Sequence, residues 1–178
     1  MTPSRLLRHV FAIVLIACAA LPALAAPAPG DDEAARIETL ARQGKPAVAL
    51  DRADAWIADH PRDARVRFVR GVLLSDQQRS ADAIAAFTAL NRDFPELAEP
   101  YNNLAVLYAA EGRYDEARAA LESAIRAAPG YALAYENLGD VYVQLAARAY
   151  GNAMRIAPGN AAIAPKLKAV RAVGGGQS

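Results

Sequence analysis

One cysteine and two histidines are all that this 178-residue sequence offers to thiol, disulfide or imidazole chemistry. The cysteine, Cys18, lies in the apolar stretch at the start of the chain, so everything beyond it must be held by packing alone. His60 sits in the turn sequence DHPRD beside a proline, where a loop role is the simplest reading. No Cys/His/Asp group has ligand spacing, no nucleophile stands in sequence beside a base, and no glycine-rich phosphate loop occurs. Asp31, Asp32 and Glu33 precede a helical pattern and suit its dipole better than a metal ion. The sequence therefore predicts no enzyme, no metal site and no cofactor. Charge of one sign is missing too. Twenty basic and 19 acidic residues leave a formal charge of +1, far from the basic footprint that phosphate binding requires, which argues against nucleic acid.

Long apolar runs are also absent. Val10 to Leu21 is about a dozen residues, where a membrane-spanning helix needs roughly 20. Arg5 and Arg8 precede this run, and Ala23-Leu24-Ala25 follows it before Pro27. A basic head, a short apolar centre and a small-residue exit predict a signal peptide over 1–26, with a Pro/Gly linker over 27–32. Loss of Arg5 and Arg8 would move the balance from +1 to −1. The expected location is periplasmic or secreted. Leu15-Ile16-Ala17-Cys18 also resembles a lipobox, which gives an alternative: lipidation at Cys18 and anchorage to the envelope.

What the sequence has in quantity is a period. Pro61, Pro95 and Pro129 stand 34 residues apart and mark units 30–63, 64–97 and 98–131. In 98–131, Leu104, Ala105 and Tyr108 share one helical face, and Ala117, Leu121 and Ala124 share another. Gly112 lies between them, where a positive φ is cheap only for glycine. Pro129 stops the second helix. These residues and their spacing closely resemble a tetratricopeptide repeat protein of exported bacterial type. The resemblance implies an all-α, right-handed solenoid of antiparallel helix pairs that binds a partner protein or peptide without catalysis.

The pattern weakens away from 98–131. Unit 64–97 keeps Gly71, Leu74, Ala83, Phe87, Leu90 and Pro95, but Arg67 and Arg70 replace apolar residues and are expected to reach water. Unit 30–63 keeps Gly44, Ala49, Ala53, Trp56 and Pro61. Its Glu33 and Arg36 are expected on the polar outer face of a terminal cap. The last unit, 132–158, departs most. Tyr135, Leu138, Gly139 and Tyr142 match the first half of a repeat, while Ala146, Tyr150, Ala153 and Pro158 match the second. The five residues of the turn between them are missing. The shortened segment 132–157 is therefore expected to be one long helix, interrupted at most by a hinge near Gly151. Residues 30–158 form the repeat domain, and 159–178 add a short helix and a disordered tail from Gly174.

All seven tyrosines lie between Tyr101 and Tyr150, mostly at repeat core positions. Core packing is the expectation for them, against a stacking platform. The resemblance further implies a concave groove lined by the first helices. By position it would present Phe68, Val69 and Val72, then Asn102, Asn103 and Val106, then Glu136, Asn137 and Asp140. The lysine and arginine clamp that some arrays use for a terminal carboxylate is not encoded, since Phe68, Asn102 and Glu136 hold those places. The expected function is a scaffold in the bacterial envelope holding a partner's peptide or helix. The alternative is an accessory subunit or chaperone of an envelope enzyme, or self-association into a homodimer through the long last helix. After Asp140 come five basic residues and no acid, a charge asymmetry along the chain.

Overall fold

In the computed structural model, which describes residues 33–175, eight helices follow one another: α1 (Glu33–Arg42), α2 (Pro46–Asp59), α3 (Ala64–Asp76), α4 (Ser80–Asp93), α5 (Ala98–Ala110), α6 (Tyr114–Ala127), α7 (Ala132–Ile156) and α8 (Ile163–Gly175). Each packs on its neighbours in the chain, and the described residues are all-α. The leader, Cys18 and the linker read from the sequence lie outside the described residues. Helix starts follow local chemistry. Pro46 opens α2, where its missing amide costs nothing. Asp63 caps α3, its carboxylate accepting from the Val66 amide at 3.0 Å. The other Asp63 oxygen accepts from Trp56 Nε1 at 2.9 Å, and the Trp56 ring stacks on His60 at 3.8 Å. His60 is thus a turn residue, as its sequence neighbours suggest.

The turns inside the helix pairs are built alike. Gly44, Gln78 and Gly112, each 34 residues from the next, have φ of 75°, 59° and 74°. The amide that follows each one bonds back across the helix end: Lys45 to Leu40 O, Arg79 to Leu74 O, and Arg113 to Tyr108 O, at 3.1, 2.9 and 2.9 Å. These are left-handed helix caps that satisfy otherwise orphaned carbonyls. Gln78 alone carries a Cβ in that conformation. Gln78→Gly is expected to raise stability by about 0.5–1 kcal/mol, measured by urea unfolding at unchanged slope.

The core forms where the two helices of a pair meet. Phe87 on α4 is fully buried against Gly71 on α3, so closely that a Cβ at residue 71 would lie 2.5 Å from the ring. Ala105 on α5, and Ala117, Leu121 and Ala124 on α6, are buried in the same way one unit later. The polar substitutions at core places are paired across helices rather than simply solvated. Arg67 donates to Asp93 at 2.8 Å, and Arg70 pairs with Asp54. Glu33 is 6% exposed, not on an outer polar face as expected, because Arg52 of α2 folds over it and donates at 3.0 Å. That hydrogen bond holds the Glu33 carboxyl below its ordinary range against the opposing effect of burial.

Helix α7 runs 25 residues without a break and passes through Gly151. It lies beside α6, to which Arg148 in its second half is tied by donating to Asp115 at 2.6 Å. Its second half receives α8, which turns back along it. Ile163 and Leu167 are buried, and Gly174 reaches Val143 and Gln144. The helix thus includes Gly174 and Gly175, which the sequence reading assigned to the tail. Two tyrosines also depart from expectation. Tyr135 and Tyr142 are 51% and 48% exposed, although they occupy repeat core places. Their covering helix would be the second half of their own unit, and that half continues straight on instead of returning.

Candidate functional site

Successive first helices α3, α5 and α7 carry the residues that the repeat pattern assigns to one face. Phe68 and Val72 are half-buried on α3, and the Phe68 ring leans on Phe87 with centroids 5.7 Å apart. Val69, between them, points the other way and is 4% exposed, so it belongs to the core. Asn102 is likewise turned inward, at 5% exposure. Its Oδ1 accepts from Asn137 Nδ2 at 2.8 Å, a bond that joins α5 to α7 across 35 residues of sequence. Asn102 is enclosed by this bond, while half-buried Asn137 keeps a second N–H and its carbonyl oxygen. Asn103 differs. It is half-buried, and one Nδ2–H donates to Glu99 O at 2.9 Å. The amide has a second N–H and a carbonyl oxygen to offer. Val106, one turn on from Asn102, is half-buried.

Glu136 and Asp140, one turn apart on α7, are exposed. Though the side chain reaches solvent, partial desolvation of the Asp140 carboxyl, and then the Glu136 charge, push it above its ordinary range. Three further groups on this side of the molecule escaped the sequence reading. Asp76, exposed at the end of α3, follows Val72 by one turn, and partial desolvation raises its pKa as well. Glu99 precedes Asn103 by one turn. Tyr131, half-buried before α7, is pushed up to about 12 by burial and then by the Glu99 charge. The i, i+4 step from Val72 to Asp76 and from Asn103 back to Glu99 was the available signal. By repeat position the face would combine apolar ground at Phe68, Val72 and Val106, one amide at Asn103, and the Glu136 and Asp140 carboxylates, of which the first raises the pKa of the second.

The raised Asp140 pKa has a sign that can be tested. The folded state holds this proton more tightly than the unfolded chain does, so stability falls as pH rises from about 3.9 through the folded value. The cost then persists at neutral pH. Asp140→Asn is expected to raise the melting temperature at neutral pH and to leave it unchanged below about pH 3.

Comparison with known proteins fits this geometry. Tetratricopeptide repeat models match residues 34–98 and 74–139, together most of the described helices. The chain is a tetratricopeptide repeat protein. Repeat proteins of this kind are generally non-catalytic scaffolds for proteins or peptides. The array is 34% identical over 84 residues to the tetratricopeptide repeat domain-containing protein PYG7, chloroplastic, of Arabidopsis thaliana, covering 44% of this chain and 28% of that one. It therefore spans under a third of that relative's length. The fold is similar to that of YrrB, described as a TPR protein with an unusual peptide-binding site, with a TM-score of 0.53 and 23% identity over 60% of this chain and 57% of that one. Among the described residues of the array, no group of three or more His, Cys, Asp or Glu side chains is placed to hold a metal, and no helix is long and apolar enough to cross a membrane.

Proposed function

We propose that this array is a non-catalytic scaffold of the bacterial envelope, holding a basic peptide or helix of a partner protein in the groove of its first helices. The observation that carries the reading is the Glu136–Asp140 pair, two exposed carboxylates one helical turn apart on α7, where the Glu136 charge adds to the partial desolvation of Asp140. A lysine or arginine docked there supplies the missing countercharge and relieves the repulsion. Phe68, Val72 and Val106 give the apolar floor for a helical or extended segment, and the Asn103 amide fixes one point of its backbone. The envelope location draws its support from the basic, apolar and small-residue order of residues 1–26.

Fluorescence anisotropy with a panel of labelled peptides of matched length tests this. Lysine-containing amphipathic peptides are expected to bind, with affinity falling as salt rises. Glu136→Lys with Asp140→Lys should abolish the binding while leaving the circular dichroism spectrum unchanged. Equal binding of acidic and basic peptides, or full binding by the charge-reversed variant, would overturn the proposal.

A further inference from the structure

Helix α7 carries both halves of a helix pair on one rod. In α3–α4 the two halves meet, and the Phe87 ring fills the space over Gly71. Gly139 is the counterpart of Gly71 two units later, and Tyr150 is the counterpart of Phe87 once the missing turn is allowed for. Over Gly139 there is nothing within 4 Å of where a Cβ would stand. The face that should receive a second helix is therefore bare, and the stripe that should cover it lies further along the same helix.

The two combine into one seam. Tyr135, Gly139, Tyr142, Ala146, Ala149, Ala153 and Ile156 follow one another at alternating steps of four and three, the spacing of a helix-pairing stripe. None of the seven is buried. Tyr135, Tyr142 and Ile156 are 51%, 48% and 75% exposed, and Ala149 and Gly139 are also exposed. Both α6 and α8 contact α7, yet they leave this stripe open. The large residues sit toward the ends and the small ones in the middle, apart from Tyr142.

We infer that this seam is the interface of an antiparallel homodimer, in which α7 of one copy replaces the missing returning helix of the other. With a two-fold axis at Gln144, Tyr135 of one chain lies over Ala153 of its partner, Tyr142 over Ala146, and Gly139 over Ala149. Large residues meet small ones in the two tyrosine layers, and at Gly139 over Ala149 two small residues let the helix backbones approach closely. Charge selects the same direction. Glu136 and Asp140 lie on the first half of α7, whereas Arg155 and Arg148, the latter also held by Asp115 of its own chain, lie on the second. Lys166 of α8 stands 6.0 Å over the Tyr150 ring, beside that second half. Antiparallel pairing sets the acidic half of each copy against the basic half of the other, and parallel pairing would set like against like. The seam is about 32 Å long at 1.5 Å per residue. A helix pair of that length covers roughly 500–600 Å² on each side, at the lower end of specific interfaces. The dimer does not rest on the proposed groove function; it turns the Glu136 and Asp140 half of each α7 toward the partner copy, so dimer and basic peptide would compete for those carboxylates.

Sedimentation equilibrium across the micromolar range decides the point. The wild-type protein is expected to reach the mass of two chains. Ala146→Glu with Ala149→Glu, placed on surface that is not buried in the single chain, should give the mass of one with unchanged helicity. Direction is read in a Cys18→Ser background by mixing Tyr135→Cys chains with Ala153→Cys chains. Disulfides between the two species are expected in preference to disulfides within either. A wild-type protein that stays monomeric at the highest concentration overturns the inference and leaves the seam to a partner of other sequence. A dimer that survives the double glutamate variant, or cross-links only between like chains, overturns it as well.

Discussion

Phe87→Ala is expected to lower the unfolding free energy by about 3–5 kcal/mol, read as a shift in the midpoint of chemical denaturation. The ring is fully buried, and it fills the whole gap between α4 and α3. Its removal loses the transfer energy of an aromatic side chain and leaves a cavity that two helices tied by short turns cannot close. A partner substitution sharpens the test. Gly71→Ala alone forces a methyl group to within 2.5 Å of the ring, so ring or helix must move, at about 1–3 kcal/mol. In Gly71→Ala with Phe87→Ala the methyl enters space that the ring has vacated. The double variant should therefore lose clearly less than the sum of the two single losses. Strict additivity would show that the contact is not what holds α3 and α4 together.

Leu121→Ala is the second large effect, at about 2–5 kcal/mol. Leu121 is fully buried on α6, the helix that lies between α5 and α7. It takes the place in its unit that Phe87 takes in the one before. In a solenoid each unit is stabilised by its neighbours, so damage in the middle loosens both sides. Unfolding followed by circular dichroism is expected to remain a single transition, displaced to lower denaturant. A loss below about 1 kcal/mol would remove Leu121 from the core.

The helix pairs were legible because their determinants repeat. Three prolines at a 34-residue spacing, and two glycines at twice that spacing, carry the turns, and the small and large apolar residues between them carry the stripes. The fusion in α7 was legible for the same reason, since a missing turn shows against a known period. What could not be read depends on pairs distant in sequence. Asn102 looks like a polar residue on a solvated face until Asn137, 35 residues later, is brought beside it. Glu33 looks like an outer cap residue until Arg52 covers it. Gln78 gives no sign of a left-handed conformation in its own chemistry, and only its position midway between Gly44 and Gly112 does. The exposure of Tyr135 and Tyr142 was missed because a repeat position implies a partner, and here that partner runs away along the helix axis. Among the candidate groove residues, the direction of Val69 and Asn102, both turned into the core, could not be read from their positions in the repeat.

The straight course of α7 also limits how the chain can grow. Arrays of this kind lengthen by duplication of whole units, each new pair stacking on the open surface of the last. A 34-residue unit copied after Ile156 would find no folded-back helix to rest on, and α8 already covers one side of the rod. A unit copied ahead of Ala132 would meet the ordinary surface of α6 and fit. By losing five residues of turn, the last unit offers no returning helix on which a further pair could stack.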